Sequence, residues 1–215
     1  GHKGESIIFF LKNFKIDNIY SFEPSPINFS NLKKNIDHIN KKFNSLKKTN
    51  IIIENLALGD KNGNLHLNQF VESSSSSIKE IDINNHYFKK KIRFLNLKNE
   101  KNLFKKYDIN ITRLSDYMSK KKLTTIDLVK IDTEGYEYEI LKGAERSLKN
   151  VKIILFEHHY DRMIKKNYKF RDIHSLLKKN SFVLKYKSKM PFRKTFEYIF
   201  FNNKLKNLEI LKLLF

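Results

Sequence analysis

Cysteine is absent from this 215-residue sequence, and glycine and proline are scarce, with six and three residues. Without thiols, the chain has neither a disulfide framework nor a thiolate metal site. No apolar run approaches the roughly 20 residues that a membrane-spanning helix needs. The apolar segment at residues 7–11 is also too short for the hydrophobic region of a signal peptide. We therefore expect a cytoplasmic protein without a membrane span.

Arginine is also scarce, although the net charge is +20. Only six of the 43 basic residues are arginine, and the lysines are spread over nearly every segment. A dedicated phosphate-binding surface more often carries clustered arginines with stacking aromatic side chains. We interpret the charge as a solvated lysine-rich surface and do not expect nucleic acid as the partner. A surface that binds RNA stays open as the alternative.

The length and composition predict one domain over residues 1–215. Forty per cent of the residues are apolar and 13% are aromatic, which is typical of a globular protein. Residues 72–108 show little pattern and are predicted to form an insertion or lid, and residues 203–215 a C-terminal tail. Five serines at residues 73–77 predict a flexible loop, and the alternative is an active-site loop that orders on ligand binding.

The most informative stretch is TIDLVKIDTEGYEYEILKG, residues 125–143. Its apolar run at residues 126–131 is typical of a strand that is covered on both faces. Asp132 and Glu134 then place two carboxylates at the end of this strand, and Gly135 permits a tight turn. Apolar residues at helical spacing follow from Tyr136. We predict a strand, an acidic turn and a helix that together floor a small-molecule site.

Strand patterns alternate with helical patterns along the rest of the chain. Further strands are predicted at residues 18–24, 50–58, 65–70, 109–114, 151–158, 181–186 and 195–201. Helices are predicted at residues 26–43 and 170–179, the first of them capped by Ser25 and opened by Pro26. The last two strands should pair antiparallel. This order predicts an α/β fold with a doubly wound sheet.

Ligands of open α/β sheets bind in the crevice beyond the carboxyl ends of the strands. Glu23 ends the strand at residues 18–24, where a carboxylate can accept both hydroxyls of a ribose. An exposed strand end is the alternative interpretation. Gly1 and Gly4 precede an apolar segment, as in a phosphate- or cofactor-binding turn that opens a helix. An irregular N-terminus is the alternative there.

The order of these motifs closely resembles the FkbM family of S-adenosylmethionine-dependent methyltransferases. The resemblance rests on seven features over residues 1–160: GHKGE, YSFEPSP, NLALGDKNGNLHL, the serine run at residues 73–77, TRLSDY, IDLVKIDTEGYEYEILKGAE and IILFEHH. It implies a Rossmann-like class I methyltransferase sheet that is mostly parallel with an antiparallel last strand. In that family a first strand and an acidic residue precede or overlap the position of Gly1, so we expect a sheet that lacks this strand here.

The resemblance also implies S-adenosylmethionine as the cofactor and a role for several residues. Gly1 and Gly4 would lie near its methionine part, and Glu23, next to Pro24, would bind the ribose hydroxyls. Ala57 and Leu58, after Leu56, would lie near the adenine. Asp132 and Glu134 would line the cleft toward cofactor and acceptor. The acceptor implied is a hydroxyl of a sugar, a polysaccharide precursor or another small metabolite.

A hydroxyl needs a base that removes its proton as it attacks a methyl group. The candidates are Asp132, Glu134, Glu157, His158 and His159. We favour Asp132 or His158 as the base, with Glu157 orienting it. Glu134 capping the following helix and a histidine buried in the core are the alternatives.

Three further hypotheses remain open at this point. An RNA-directed methyltransferase would account for the positive charge. A truncated relic of the fold would keep the scaffold without activity. Asp132 and Glu157 as oxygen ligands for Mg²⁺ are the third, although we predict no metal.

Overall fold

Ten β-strands and six α-helices follow one another in the part of the chain that the computed structural model describes, residues 3–43, 49–70, 76–94, 103–160, 163–191 and 194–205. The strands are β1 (Asn18–Phe22), β2 (Asn50–Glu54), β3 (Ala57–Leu58), β4 (Gly63–Phe70), β5 (Ser76–Ser77), β6 (Phe104–Thr112), β7 (Ile126–Ile131), β8 (Val151–His159), β9 (Phe182–Lys189) and β10 (Thr195–Asn202). The helices are α1 (Glu5–Asn13), α2 (Pro26–Phe43), α3 (His86–Phe94), α4 (Leu114–Lys120), α5 (Glu137–Ala144) and α6 (Phe170–Lys179).

The strands form three sheets. β1 and β2 pair in parallel, and β3, β6, β4 and β5 form a second sheet in that order. The third sheet has the order β7-β8-β10-β9, in which β7 and β8 are parallel and β10 is antiparallel to both of its neighbours. The predicted α/β class and the antiparallel pairing of the last two strands are confirmed. Within the described ranges, no strand joins the β1–β2 sheet to β7.

Several element boundaries differ from the prediction. The strand predicted at residues 50–58 is interrupted, because β2 ends at Glu54 and β3 begins at Ala57. β6 begins at Phe104, and α3 was not predicted. The flexible loop predicted for the serine run is wrong for Ser76 and Ser77, which pair with β4 as β5. Residues 73–75 and 206–215, to which the loop and tail predictions also apply, lie outside the described residues.

Helix α2 begins as the sequence predicts. The hydroxyl oxygen of Ser25 accepts a hydrogen bond of 3.2 Å from the backbone N–H of Asn28, which satisfies one of the unpaired donors at the helix start. Pro26 occupies the first helical position, where its missing N–H costs nothing. α2 then packs on α1 through Leu32, Ile36 and Ile39. These contacts fix the direction in which the chain leaves β1.

The sheet β7-β8-β10-β9 has two different faces, because side chains alternate along each strand. Ile154 and Phe156 of β8 and the neighbouring Tyr198 and Phe200 of β10 are buried in the main core. That core also contains the apolar side of helices α5 and α6, including Leu141, Ile173 and Leu177. The opposite face carries half-buried residues, among them Lys130, Leu155 and Glu157. In the second half of β8, Ile154 and Phe156 therefore enter the main core, whereas Leu155 and Glu157 lie on the other face.

Tyr117 of α4 connects the β1–β2 sheet with the rest of the molecule. Its ring lies 4.8 Å from that of Phe22, measured between centroids. Its hydroxyl donates a 2.8 Å hydrogen bond to the Glu54 carboxylate at the end of β2. Burial and this carboxylate raise the pKa of Tyr117, so the hydroxyl stays protonated as a donor. No helix in the described ranges has the length and apolar character needed to cross a lipid bilayer.

Candidate active site

The chain reverses direction at residues 130–135, KIDTEG, which we call the KIDTEG turn. β7 ends at Ile131, and the Asp132 carboxylate lies half exposed with Oδ2 3.0 Å from Nζ of Lys130. Glu134 and Gly135 both have positive φ, at 49° and 96°. A non-glycine residue in this region is uncommon and persists only where its surroundings hold it. The turn is therefore a specifically held conformation at the carboxyl end of a parallel strand.

Glu137, which the sequence did not single out, stabilises this turn by hydrogen bonds. It is fully buried, and its Oε1 accepts hydrogen bonds from the Gly135 N–H at 2.8 Å and the Thr133 hydroxyl at 3.3 Å. Its Oε2 accepts a hydrogen bond from the hydroxyl of Tyr168. Burial and the Glu137 carboxylate raise the pKa of Tyr168, so this hydroxyl remains a donor. Glu137 binds the Gly135 N–H and the Thr133 hydroxyl of the turn, and the Glu134 side chain is directed elsewhere.

Glu134 meets His159 of β8. Its Oε2 lies 3.4 Å from Nε2 of His159, whose side chain is 7% exposed. On the other side of the ring, Nδ1 lies 3.1 Å from the hydroxyl of Thr195, its cross-strand partner on β10. Thr195 is 1% exposed, so its hydroxyl orients the ring and is not accessible as a nucleophile. The structure thus brings a carboxylate and an imidazole together in a fixed orientation.

His158 lies on the opposite face of β8 from Glu157 and His159. Its side chain is 3% exposed and is surrounded by the rings of Tyr160, Tyr168 and Phe170. Burial, with a smaller effect of the positive charge of Lys166, lowers its pKa to about 3. The ring is therefore neutral at physiological pH and part of the core. The structure does not bring His158 together with Asp132 and Glu157.

Three carboxylates approach one another on the half-buried face. Glu157 of β8 is the cross-strand partner of Glu197 on β10, and the register of β7 places Asp132 beside it on the other side. Burial, and then the negative charge of Asp132, raise the pKa of Glu157 to about 7, while Lys130 and His159 oppose this effect. Glu157 is therefore a carboxylate that exchanges its proton near neutral pH. In the described ranges, no three His, Asp or Glu side chains are arranged to hold a metal ion.

Glu23 follows β1 and is buried, with 5% of its surface exposed. Its Oε1 accepts a 3.0 Å hydrogen bond from the Ser25 N–H, and its backbone oxygen accepts one of 2.9 Å from the side-chain amide of Asn55. The same amide also donates to the carbonyl oxygen of Pro24 at 3.2 Å. Glu23 is not the exposed strand end that the sequence left open. Its carboxylate is held in one place at the carboxyl end of a parallel strand.

A chain of contacts connects Glu23 with the KIDTEG turn. Beyond Glu23, the hydroxyl of Ser25 donates to the side-chain oxygen of Gln69, near the end of β4. The next residue, Phe70, lines a small cavity together with Ser77 and Glu134. The end of β4 thus lies near both Ser25, which follows β1, and Glu134, which follows β7.

The remaining predicted site residues have different surroundings. Gly4 has φ 91° and directly precedes α1, as expected for a turn that opens a helix. Gly1 lies outside the described residues. Ala57 is 3% exposed and belongs to the main core, against which Leu58 packs. A ligand beside β3 would therefore contact the strand's backbone and the half-buried Leu58 side chain more than the Ala57 methyl group.

Comparison with known proteins identifies the family of the chain. The family model for the methyltransferase FkbM domain matches residues 1–184 of the chain. No curated protein shows significant sequence similarity to it. The match includes β1 with Glu23, the KIDTEG turn, and β8 with Glu157 and His159. Because it covers most of the 215 residues, the chain belongs to the FkbM methyltransferase domain family, whose activity is methyl transfer.

Proposed function

We propose that the protein transfers a methyl group from S-adenosylmethionine to a hydroxyl of a sugar, a polysaccharide precursor or another small metabolite. The observation that carries this proposal is a pair of carboxylates near the carboxyl ends of β1 and β8, one buried and fixed at Glu23 and one titratable at Glu157. The first has the chemistry to bind a ribose, and the second has the chemistry to remove a proton. We also propose that β1–β2 and β7–β8 are two parts of one doubly wound sheet.

The residues near the carboxyl ends of these strands fit the cofactor. The Glu23 carboxylate is an acceptor for the two ribose hydroxyls, and the hydrogen bond from Ser25 holds it for that role. Gly4 and, outside the described residues, Gly1 would approach the methionine part. Asp132 and Glu134 would face the cofactor from the KIDTEG turn.

The adenine would lie beside β3. The backbone of Ala57 and the side chain of Leu58 would contact its flat surface. Pro24 rigidifies the chain directly after Glu23, since its ring fixes the backbone dihedral angle φ. These assignments concern cofactor binding and not catalysis. Each assigned side chain is either apolar or a carboxylate that accepts hydrogen bonds.

When it is bound, the cofactor supplies a methyl group on a positively charged sulfur, which is its own leaving group. The protein must then orient the acceptor oxygen and remove its proton as the new oxygen–carbon bond forms. We assign proton removal to Glu157, whose pKa of about 7 balances ionisation against basicity at neutral pH. Asp132 raises that pKa by its negative charge.

The other candidate bases are less suitable. His158 is directed into the core, away from Asp132 and Glu157, and a pKa of about 3 makes it a weak base. Asp132 is half exposed, and its Oδ2 lies 3.0 Å from Nζ of Lys130, so its carboxylate is engaged in a surface ion pair. We assign His159 and Glu134 to orienting the acceptor, because the ring is already fixed by Thr195. The Glu134 carboxylate, whose side chain is 28% exposed, would accept a hydrogen bond from the acceptor hydroxyl, and the buried His159 ring would hold that carboxylate in place.

A labelling experiment tests this proposal. The protein is incubated with S-adenosylmethionine carrying a tritiated methyl group and with fractionated small metabolites, glycans and RNA. We expect label in a small-molecule or glycan fraction that survives mild alkali, because methyl ethers are stable where methyl esters hydrolyse. Glu157→Gln should reduce the rate by about 100-fold or more, and the surface variant Glu145→Gln should not. Alkali-labile label, label in RNA alone, or equal rates in both variants would contradict the proposal.

A further inference from the structure

Residues 76–82, which we call the 76–82 segment, lie directly against the KIDTEG turn. The hydroxyl of Ser77 donates a 3.1 Å hydrogen bond to the backbone oxygen of Glu134. The same hydroxyl oxygen accepts a 3.0 Å hydrogen bond from the backbone N–H of Lys79. A single side chain therefore connects the strained residue of the turn to Lys79.

Lys79 makes the strongest contact of this segment. Its Nζ lies 2.5 Å from Oε1 of Glu139 in α5, and the two side chains are only 18% and 7% exposed. It also lies 5.3 Å above the ring of Tyr136 and 3.3 Å from the side-chain oxygen of Asn167. Oε2 of Glu139 is buried and has no hydrogen-bond partner among the described residues. The charge of Lys79 therefore compensates a carboxylate that water does not reach.

The segment is also tied to residues 163–167, which follow β8. Ile81 and Ile164 form an antiparallel bridge, the N–H of Asp82 donates to the oxygen of Met163 at 2.8 Å, and Lys165 N–H donates to the oxygen of Glu80 at 2.9 Å. A Cβ atom added to Gly135 would lie 2.6 Å from Cγ2 of Ile164. The turn is therefore enclosed between the 76–82 segment, Ile164 and α5.

We propose that Lys79 is a positioning residue for the active site. It anchors the 76–82 segment on α5, so that Ser77 holds the carbonyl of Glu134 and keeps this residue in its left-handed conformation toward His159. Without Lys79, the turn relaxes and Glu134 loses its place at the site. The functional part of this inference rests on the proposed function above, whereas its structural part does not.

The test uses the Lys79→Met and Lys79→Arg variants, with Lys165→Met as the matched control. Lys165 pairs with Glu80 in the same region, but both side chains are mostly exposed, at 61% and 76%. Hydrogen exchange of the Gly135 and Tyr136 amides is measured without ligand, and the Kd for S-adenosylhomocysteine is measured by calorimetry. In Lys79→Met we expect about tenfold faster exchange at the turn and a Kd raised about tenfold or more. Lys79→Arg should restore both toward wild type, and Lys165→Met should change neither.

The double variant Lys79→Met/Glu139→Gln guards against simple unfolding, because it removes both charges together. We expect its free energy of unfolding to return toward the wild-type value while the amides of the turn still exchange fast. Unchanged exchange at the turn in Lys79→Met, or exchange accelerated equally by Lys165→Met, would overturn the inference. Wild-type protein that binds no S-adenosylhomocysteine would instead contradict the proposed function, and the exchange measurements would still decide the role of Lys79.

Discussion

Replacing Glu157 by glutamine should stabilise the protein at alkaline pH. The carboxylate faces Asp132 and Glu197, with Lys130 and His159 as the opposing positive groups, and it is partly buried between strands. Burial and Asp132 raise its pKa from the usual value of 4.5 to about 7. Between these values, the folded protein keeps a proton that the unfolded chain releases. The free energy of unfolding therefore falls as the pH rises through this range.

The size of the effect follows from the same two values. The full difference between them corresponds to about 3 kcal/mol. Since Glu157 is only half buried and water screens its charge, we expect about 1–2 kcal/mol to be measurable. Glutamine has the same shape and cannot ionise, so Glu157→Gln should lose this penalty. Its advantage over the wild type should be near zero at pH 4, grow between pH 4.5 and pH 7, and stay constant above pH 8.

Urea unfolding followed by far-UV circular dichroism measures this difference at each pH. Glu145→Gln is the control, because Glu145 makes a surface pair with Lys179 at 3.3 Å, and its difference from wild type should not vary with pH. A Glu157→Gln variant that is less stable than wild type at pH 8 would refute the reasoning. An advantage independent of pH would refute it equally, since the carboxylate would then not titrate between the two values.

Two further predictions concern the pH dependence of Glu157 and the close approach of Gly143 to Gly59. In methyl-transfer assays, log(kcat/KM) should fall below pH 7 as Glu157 becomes protonated. Asp132→Asn should move this fall to lower pH, because it removes the neighbouring negative charge. An unmoved pH profile would show that Asp132 does not act on Glu157. Gly143→Ala should destabilise the protein by about 3 kcal/mol or more in urea unfolding, because the added Cβ would lie 1.7 Å from the Gly59 carbonyl oxygen; a loss below about 0.5 kcal/mol would contradict this contact.

The sequence predicted the elements whose patterns are strong and local. The apolar run of β7, the carboxylate-rich turn and the helical spacing of α5 all appear where they were expected. α3 was missed, because its sequence HYFKKKIRF places two buried residues, Phe88 and Ile92, among basic ones. β5 was missed because serine favours loops, and only the pairing with β4 makes Ser76 and Ser77 a strand. Tertiary pairing decided the structure in both places.

In the candidate active site, too, some features follow from local sequence patterns and others depend on tertiary contacts. Neighbouring residues of a strand point to opposite faces, and the buried Ile154 and Phe156 have the parity of His158. The alternation therefore groups Glu157 with His159 and separates both from His158, but the run VKIIL is apolar at both parities, so the sequence did not say which face enters the core. The contacts between Glu134 and His159 and between Lys79 and Glu139 span 25 and 60 residues, as the numbering shows. No local pattern encodes them, so they required the structure.

Binding of S-adenosylhomocysteine to wild-type protein and to Glu23→Gln tests the central claim most directly. Calorimetry should give one site per chain in the wild type and a Kd raised about ten- to 100-fold in Glu23→Gln, since a charged hydrogen-bond acceptor for the ribose is lost. Glu145→Gln should bind as the wild type does, and circular dichroism should show that all three proteins are folded. No binding by the wild type, or equal binding by Glu23→Gln, would contradict the account.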